Sequence, residues 1–298
     1  MTAGPVLVTG SAGFVGEAVV RELLSRGRTV VAFDLQPLDA VPGVTAVAGD
    51  VRDLDALISL IRQHAVESVI HLAARIGVLS DAEPHISTLV NVVGTSNVLE
   101  AARLTGIHRV VLASSIMRQA GRGLPHLPGD YPAPRNLYGA TKLVAEFEAQ
   151  LYRRSFGLDP VVVAISATLG ARRTGSVPSR APHVYILENA APGASLEVPA
   201  DPGWSLPLRR ASQVARILAG ASLRPECRPF YHTGGRYTAV GEIAAEVSRQ
   251  VPGFRVRFTG GDWPSLPEID GSAADDDFGT TVEDLETLVR GALGEPPV

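Results

Sequence analysis

Short apolar runs and stretches of helical periodicity alternate along the first 165 residues. Pro5-Val6-Leu7-Val8 is an uninterrupted apolar run, the pattern of a strand buried on both faces. Val15, Val19, Val20, Leu23 and Leu24 then fall on one face of a helix that stops at Gly27. Thr29 to Phe33 reads as a second strand, closed by Asp34. The alternation continues with a strand at Val44 to Ala48, a helix from Leu54 to Ile61 and a strand at Ser68 to Leu72. A long helix from Glu83 to Leu104, a strand at Arg109 to Ala113, a helix from Tyr138 to Arg154 and a strand at Pro160 to Ile165 follow. This order predicts an α/β fold, a doubly wound parallel sheet covered on both faces, with ligands at the carboxyl ends of its strands.

The pattern changes after Ser166. Residues 170–207 are rich in Gly, Pro, Ser and Arg without sustained periodicity, and read as loop. Ala211 to Leu223 returns as a helix, and Pro229 to His232 reads as a strand rejoining the main sheet. A helix at Val240 to Val251, a strand at Phe254 to Phe258 and a helix at Val282 to Leu293 complete the chain. Thr280 and Glu283 fit a capping box for that last helix, and the acidic stretch from Gly271 to Asp277 reads as a solvated connection. The expected organisation is a Rossmann domain over 1–165, rejoined by about 208–233, with a smaller interleaved C-terminal substrate region formed by 166–207 and 234–298.

Composition narrows the function classes. A net charge of −4 gives no basic surface for nucleic acid, and no apolar run reaches the length of a membrane span. Cys227 is the single cysteine, which excludes a disulfide framework or a cysteine metal cluster and points to a reducing, cytoplasmic setting.

The chemistry concentrates at the predicted strand ends. Gly10, Ala12, Gly13, Phe14, Val15 and Gly16 form a glycine-rich turn between strand and helix, and Asp34 follows Gly16 by 18 residues at the end of the next strand. Glycines permit a tight turn and close approach of a pyrophosphate, the helix N-terminus faces the phosphates, and the acid accepts from a ribose hydroxyl. NAD is therefore the expected cofactor. Asp50, Val51, Leu72, Ala73, Ala74 and Ser115 close later strands on the same side. Tyr138 and Lys142 are four residues apart, one turn on one helix face. The 27 basic residues comprise 26 Arg and a single Lys, Lys142. Lysine here suggests a site that needs a compact ammonium able to lower the pKa of a nearby phenol.

Taken together, Thr9-Gly10 through Gly16, Asp34, Asp50-Val51, His71-Leu72-Ala73-Ala74, Asn91 with Gly94-Thr95, Ser114-Ser115 and Tyr138 with Lys142 resemble the extended short-chain dehydrogenase/reductase family, its epimerase/dehydratase branch. Tyr231-His232-Thr233-Gly234-Gly235, Trp263-Pro264 and Asp270-Gly271-Ser272-Ala273 loosely resemble the C-terminal part of the short-chain type of L-threonine dehydrogenase. The resemblance implies that Tyr138 exchanges the proton of the reacting hydroxyl and that Ser115 polarises the substrate oxygen. It gives Lys142 a second task on the nicotinamide ribose and places Asn91 beside the cofactor. It also implies a homodimer paired through the helices 83–104 and 138–154. The chain departs from the branch's dehydratases at Ile116-Met117, where an Asp-Glu pair is usual, and from the branch's common pattern at Arg118-Gln119-Ala120, Ala164 and Ala167. Ile116-Met117 disfavour sugar dehydration, and the set as a whole, on the substrate side, disfavours a sugar-nucleotide substrate while leaving the redox residues in place. Arg118, Arg172, Arg173 and Arg180 are candidates for gripping an anionic substrate. The expected activity is NAD-dependent interconversion of a secondary alcohol and a ketone on a small polar or anionic substrate. The alternatives are an epimerase of a nucleotide-activated sugar and a dinucleotide-binding sensor that has lost catalysis.

Overall fold

The computed structural model describes residues 4–39, 41–119, 132–170, 181–263 and 266–294. Its first half runs β1 (Val6–Thr9), α1 (Phe14–Ser25), β2 (Val30–Asp34), β3 (Val44–Ala48), α2 (Leu54–His64) and β4 (Ser68–His71). Then come α3 (Val78–Ala82), α4 (Pro84–Thr88), a π-helical turn (Leu89–Val93), α5 (Gly94–Thr105), β5 (Arg109–Ser115) and a 3₁₀ turn (Ile116–Gln119). α6 (Leu137–Phe156), β6 (Asp159–Ile165) and β7 (Ala167–Leu169) close this half.

The main sheet has the order β3-β2-β1-β4-β5-β6 and then β10 (Phe230–His232), with every pair parallel. Alternate residues of each strand serve opposite faces. Val6, Val8, Ile70, Val111 and Val161 pack with Val19 and Leu23 of α1 and with α8 (Ala211–Leu223). Leu7, Val31, Val69, Val110 and Leu112 pack with α2, α5 and α6 on the other face. Both faces are thus covered, so the strands read as continuous apolar runs.

The expected loop over 170–207 is corrected by its described part, which holds α7 (Pro182–Glu188), β8 (Ser195–Val198) and β9 (Ser205–Arg210). These elements are short and pair far along the chain. β9 lies between β7 and β11 (Arg236–Ala239), and β8 pairs with β12 (Arg255–Phe258). They build a third core with α9 (Val240–Gln250) and α11 (Leu285–Gly294), around Ile186, Leu206, Ile243 and Leu288.

The long helix expected from Glu83 to Leu104 is continuous, with helical backbone at Thr88, Leu89, Val93 and Gly94, and carries the π turn within it. Two further expectations change. The acidic stretch from Gly271 to Asp277 is largely a helix, α10 (Ser272–Phe278). Its Asp275 holds the buried Arg209 through two contacts of 2.7 and 3.0 Å, and its Asp277 accepts from the Tyr231 hydroxyl at 2.6 Å. The last helix starts at Leu285, and Asp284 accepts from Thr287 N–H at its N-terminus (2.7 Å). Thr280 and Glu283 are drawn away, onto Asp275 and Arg210.

Candidate functional site

The carboxyl ends of β1, β2, β4 and β5 converge on one rim of the sheet, beside the N-terminus of α6. At the first of them, Gly10 takes φ of +72°, and a Cβ there would stand 2.5 Å from Ala73 N. A Cβ on Gly16 would lie 2.1 Å from Gly10 O. Only hydrogen fits at either position, so the turn lies tight over Ala73 and presents backbone at the start of α1. Asp34 closes β2 next to this turn. Ala12 N–H donates to its Oδ2 (3.1 Å) and Gln36 N–H to its Oδ1 (3.2 Å), which fixes the carboxylate and leaves each oxygen a further lone pair. A backbone cradle with a fixed acid beside it fits the pyrophosphate and ribose of a dinucleotide.

Asp50 follows β3 and accepts from Arg52 N–H and Nε–H, both at 2.9 Å, which holds its carboxyl below the usual range. Val51 is buried against Gly94, and its carbonyl accepts from Asn97 Nδ2 (3.1 Å). Leu72 N–H donates to Thr9 O (3.0 Å), continuing the sheet into Ala73 and Ala74.

Asn91 is buried in the π turn. Its Oδ1 accepts from Arg75 N–H (2.8 Å), and its Nδ2 donates to Arg75 O (3.0 Å) and to Thr141 Oγ1 (3.1 Å). It therefore ties the segment after β4 to the first turn of α6. His71 is satisfied at both ring nitrogens. Thr95 gives its hydroxyl proton to Asn91 O (2.7 Å), so it accepts from His71 Nε2–H (3.0 Å), and Nδ1 accepts from Thr9 Oγ1 (2.7 Å). Burial first, and then the charge of Lys142, push the imidazole down to about 3, so it stays neutral.

α6 begins at Asn136, whose Oδ1 caps Gly139 N–H (2.8 Å). A Cβ on Gly139 would meet Met117 O at 2.4 Å, so this glycine lets the helix abut the exit of β5. That approach brings Ser115 to Tyr138. Met117 N–H donates to Ser115 Oγ (3.2 Å), leaving the hydroxyl proton for the hydrogen bond with the Tyr138 phenol. Lys142 Nζ stands 5.7 Å from the centre of the Tyr138 ring. Burial pushes the phenol up to about 12, against the pull of the Ser115 hydrogen bond. It pushes the Lys142 ammonium down to about 8, against the pull of Glu146.

Arg118 is turned inward. Its Nε pairs with Glu146 Oε1 (2.7 Å), and its guanidinium covers the Phe230 ring at 5.3 Å. Any substrate anion would compete with Glu146 for it. Arg172, Arg173 and Arg180 lie outside the described residues. Glu146, Asn97 and Asn136 support the site without having been foreseen, and Thr95, part of the sequence motif with Asn91, supports it through His71. Glu146 was within reach of the sequence, since it continues the four-residue spacing of Tyr138 and Lys142.

Residues 6–199 match the model of the NAD dependent epimerase/dehydratase family. The chain belongs to this family. The UDP-glucose 4-epimerase of Mycolicibacterium smegmatis is 34% identical over 184 residues, 56% of this chain and 57% of that protein. The 2-alkyl-3-oxoalkanoate reductase of Stenotrophomonas maltophilia is 36% identical over 152 residues, 47% of this chain and 44% of that one. The chain thus spans less than two thirds of these relatives' length. Similarity in structure runs further. A GalE-like L-threonine dehydrogenase from Cupriavidus necator, in its holo form, has a TM-score of 0.84 at 25% identity, covering 97% of this chain and 99% of that one. MoeE5 in complex with UDP-glucose and NAD has a TM-score of 0.81 at 26% identity, covering 97% of each chain. NAD, the cofactor of the epimerase/dehydratase family, fits the cradle formed by Gly10, Gly16 and Asp34. No helix among the described residues is long and apolar enough to cross a membrane.

Proposed function

We propose that this chain is an NAD-dependent oxidoreductase that interconverts a secondary alcohol and a ketone on a small polar or anionic substrate. The observation that carries the reading is the meeting of Ser115, Tyr138 and Lys142 at one strand end beside the glycine-rich cradle. Bound NAD supplies the hydride acceptor or donor. Ser115 holds the substrate oxygen by hydrogen bonding, and the Tyr138 hydroxyl takes or gives that oxygen's proton. In the free protein burial keeps the phenol protonated, ready to donate. To act as a base it needs positive charge close by, which Lys142 supplies. The turn from Gly10 to Gly16, Asp34, Asp50 and Val51, the Leu72–Ala74 segment and Asn91 would hold and flank the cofactor. The Rossmann part, 1–165 rejoined by about 208–233, would carry it. Segments 166–207 and 234–298 would close over the substrate.

The full-length likeness to an L-threonine dehydrogenase favours a small hydroxy acid or hydroxy amino acid. A second reading, a nucleotide-sugar epimerase, draws on the epimerase relative and on the likeness to a protein that holds UDP-glucose. The deciding experiment measures thermal stabilisation in the presence of NAD by UDP, GDP and dTDP against a panel of hydroxy acids and hydroxy amino acids, with NADH formation read on the same panel. Turnover of a small hydroxy compound supports the dehydrogenase. Stabilisation by a nucleoside diphosphate alone, with NAD retained through gel filtration, would replace it with the epimerase.

The reading includes a homodimer, in keeping with the exposed apolar residues Val144, Phe147 and Leu151 on α6 and Val93 and Leu104 beside and along α5. A cytoplasmic location accords with the single cysteine.

A further inference from the structure

Beneath the Tyr138–Lys142 pair lies a polar cluster that the proposed chemistry does not use. Tyr138, Lys142 and Glu146 are spaced by four residues on one face of α6, and Lys142 and Glu146 are 3% and 4% exposed. Two elements converge on the Glu146 carboxylate. The Ser114 hydroxyl donates to its Oε1 from the end of β5, and Arg118 Nε pairs with the same oxygen at 2.7 Å from the following 3₁₀ turn. Arg118 is braced in turn by the Phe230 ring of β10. Ser114, the small and fully buried Ala164 and His232 stand in register across β5, β6 and β10, forming one row beside this pair.

We propose that Glu146 is a positioning residue: pinned by Arg118 and Ser114, its carboxylate keeps the Lys142 ammonium charged and in place beside the Tyr138 phenol. The proposal rests on the assignment of Tyr138 and Lys142 made above. Its physical basis is the cost of burying an uncompensated ammonium. The titratable groups bearing on Lys142 are Tyr138 and Glu146 on its own helix and His71 from β4. His71 is neutral, and burial keeps the phenol protonated, so the counter-charge falls to Glu146. Glu146 itself, raised by burial, is drawn back towards ionisation by Ser114, Arg118 and Lys142. Arg118 faces His232, which burial and that guanidinium hold neutral, while Asp270 pulls the other way. A carboxylate facing two cations, one locked to it and one catalytic, sets how readily the catalytic one gives up its proton.

The composition supplies a direct test. Lys142 is the only lysine, so protein grown with ¹³C at the lysine ε-carbon gives one lysine signal, and its titration reports Lys142 without substrate or cofactor. Glu146→Gln is expected to move the midpoint down from about 8 by about one to two pH units, the size of a charge pair one turn apart at an intermediate dielectric. Glu146→Asp is expected to restore part of the shift. If Glu146→Gln does not fold, Arg118→Met serves: with the pin gone Glu146 is drawn less towards ionisation, and the Lys142 midpoint should fall. A Lys142 midpoint unchanged in the folded variant, whatever its thermal stability, would overturn the proposal. Failure of the catalytic assignment would show separately, as turnover that survives Tyr138→Phe.

Discussion

Lys142 Nζ lies 5.7 Å from the centre of the Tyr138 ring, one turn further along the same helix. The ammonium is buried and the phenol is hydrogen-bonded to Ser115. On the proposed function, Tyr138→Phe removes the proton-transfer atom and leaves the cradle untouched. Turnover should fall by about 10²–10⁴-fold, the usual contribution of a placed acid or base, while NAD affinity by fluorescence titration stays within about twofold. Lys142→Arg should fail comparably, because a planar fork does not fit the buried space above Glu146. Tyr138→Phe retaining more than about a tenth of the activity would contradict the assignment.

Asp34 is expected to control the choice of cofactor. Its oxygens are fixed by Ala12 and Gln36 N–H, so the carboxylate is held beside the cradle instead of swinging clear. A fixed carboxylate accepts from ribose hydroxyls and repels a 2′-phosphate. NAD should bind about 10–100-fold more tightly than NADP, corresponding to about 1–3 kcal/mol. Asp34→Ala should bring the two within a few-fold, measured by calorimetry. NADP binding as tight as NAD in the unaltered protein would show that Asp34 does not read the ribose.

Pattern and spacing made the sheet and the glycine-rich turn legible. Val6–Thr9, Gly10–Gly16 and Asp34 announce themselves because everything they need is local: an apolar run, a turn, and an acid at the next strand end. Tyr138 and Lys142 were legible for the same reason, being one helical turn apart. Glu146 was hidden by its long-range dependence, since its partners Ser114 and Arg118 come from another strand and turn. The acids of 271–277 looked solvated because the partner of Asp275, Arg209, stands 66 residues earlier. β8 and β9 escaped notice because short strands carry little periodicity, and their partners β11 and β12 lie later in the chain.

His71 couples stability to pH. Its folded-state value is about 3 against an ordinary 6.5, so below pH 6.5 the unfolded chain takes up a proton that the folded protein refuses. Stability therefore falls as pH drops from about 6.5 towards 3 and is unaffected by this group above that window. Between pH 7 and pH 5 the loss from His71 alone is about 2 kcal/mol. Denaturant unfolding at both pH values should show a smaller difference in His71→Gln, which keeps polar atoms for Thr9 and Thr95 but does not titrate. An equal pH response in the two proteins would mean that His71 protonates without cost.

The exposed face of α6 provides the last prediction. Val144, Phe147 and Leu151 follow a three- and four-residue spacing, the stripe of a helix seated on an apolar partner, yet Phe147 is 63% exposed. Phe156, further along the helix and 50% exposed, carries the Arg103 guanidinium over its ring at 5.3 Å. A second copy meeting the same helices across a two-fold axis would bury the stripe against itself, so every residue on it counts twice. Burying one phenylalanine contributes about 1.5–3 kcal/mol, and doubling that corresponds to about 10²–10⁴-fold in the dimer dissociation constant. Phe147→Arg should therefore turn a dimer mass at micromolar concentration into a monomer mass by light scattering, with an unchanged circular dichroism spectrum. Turnover should persist in the monomer if Ser115, Tyr138 and Lys142 suffice within one chain. A monomer mass for the unaltered protein would remove the dimer from the reading and leave the stripe to another partner.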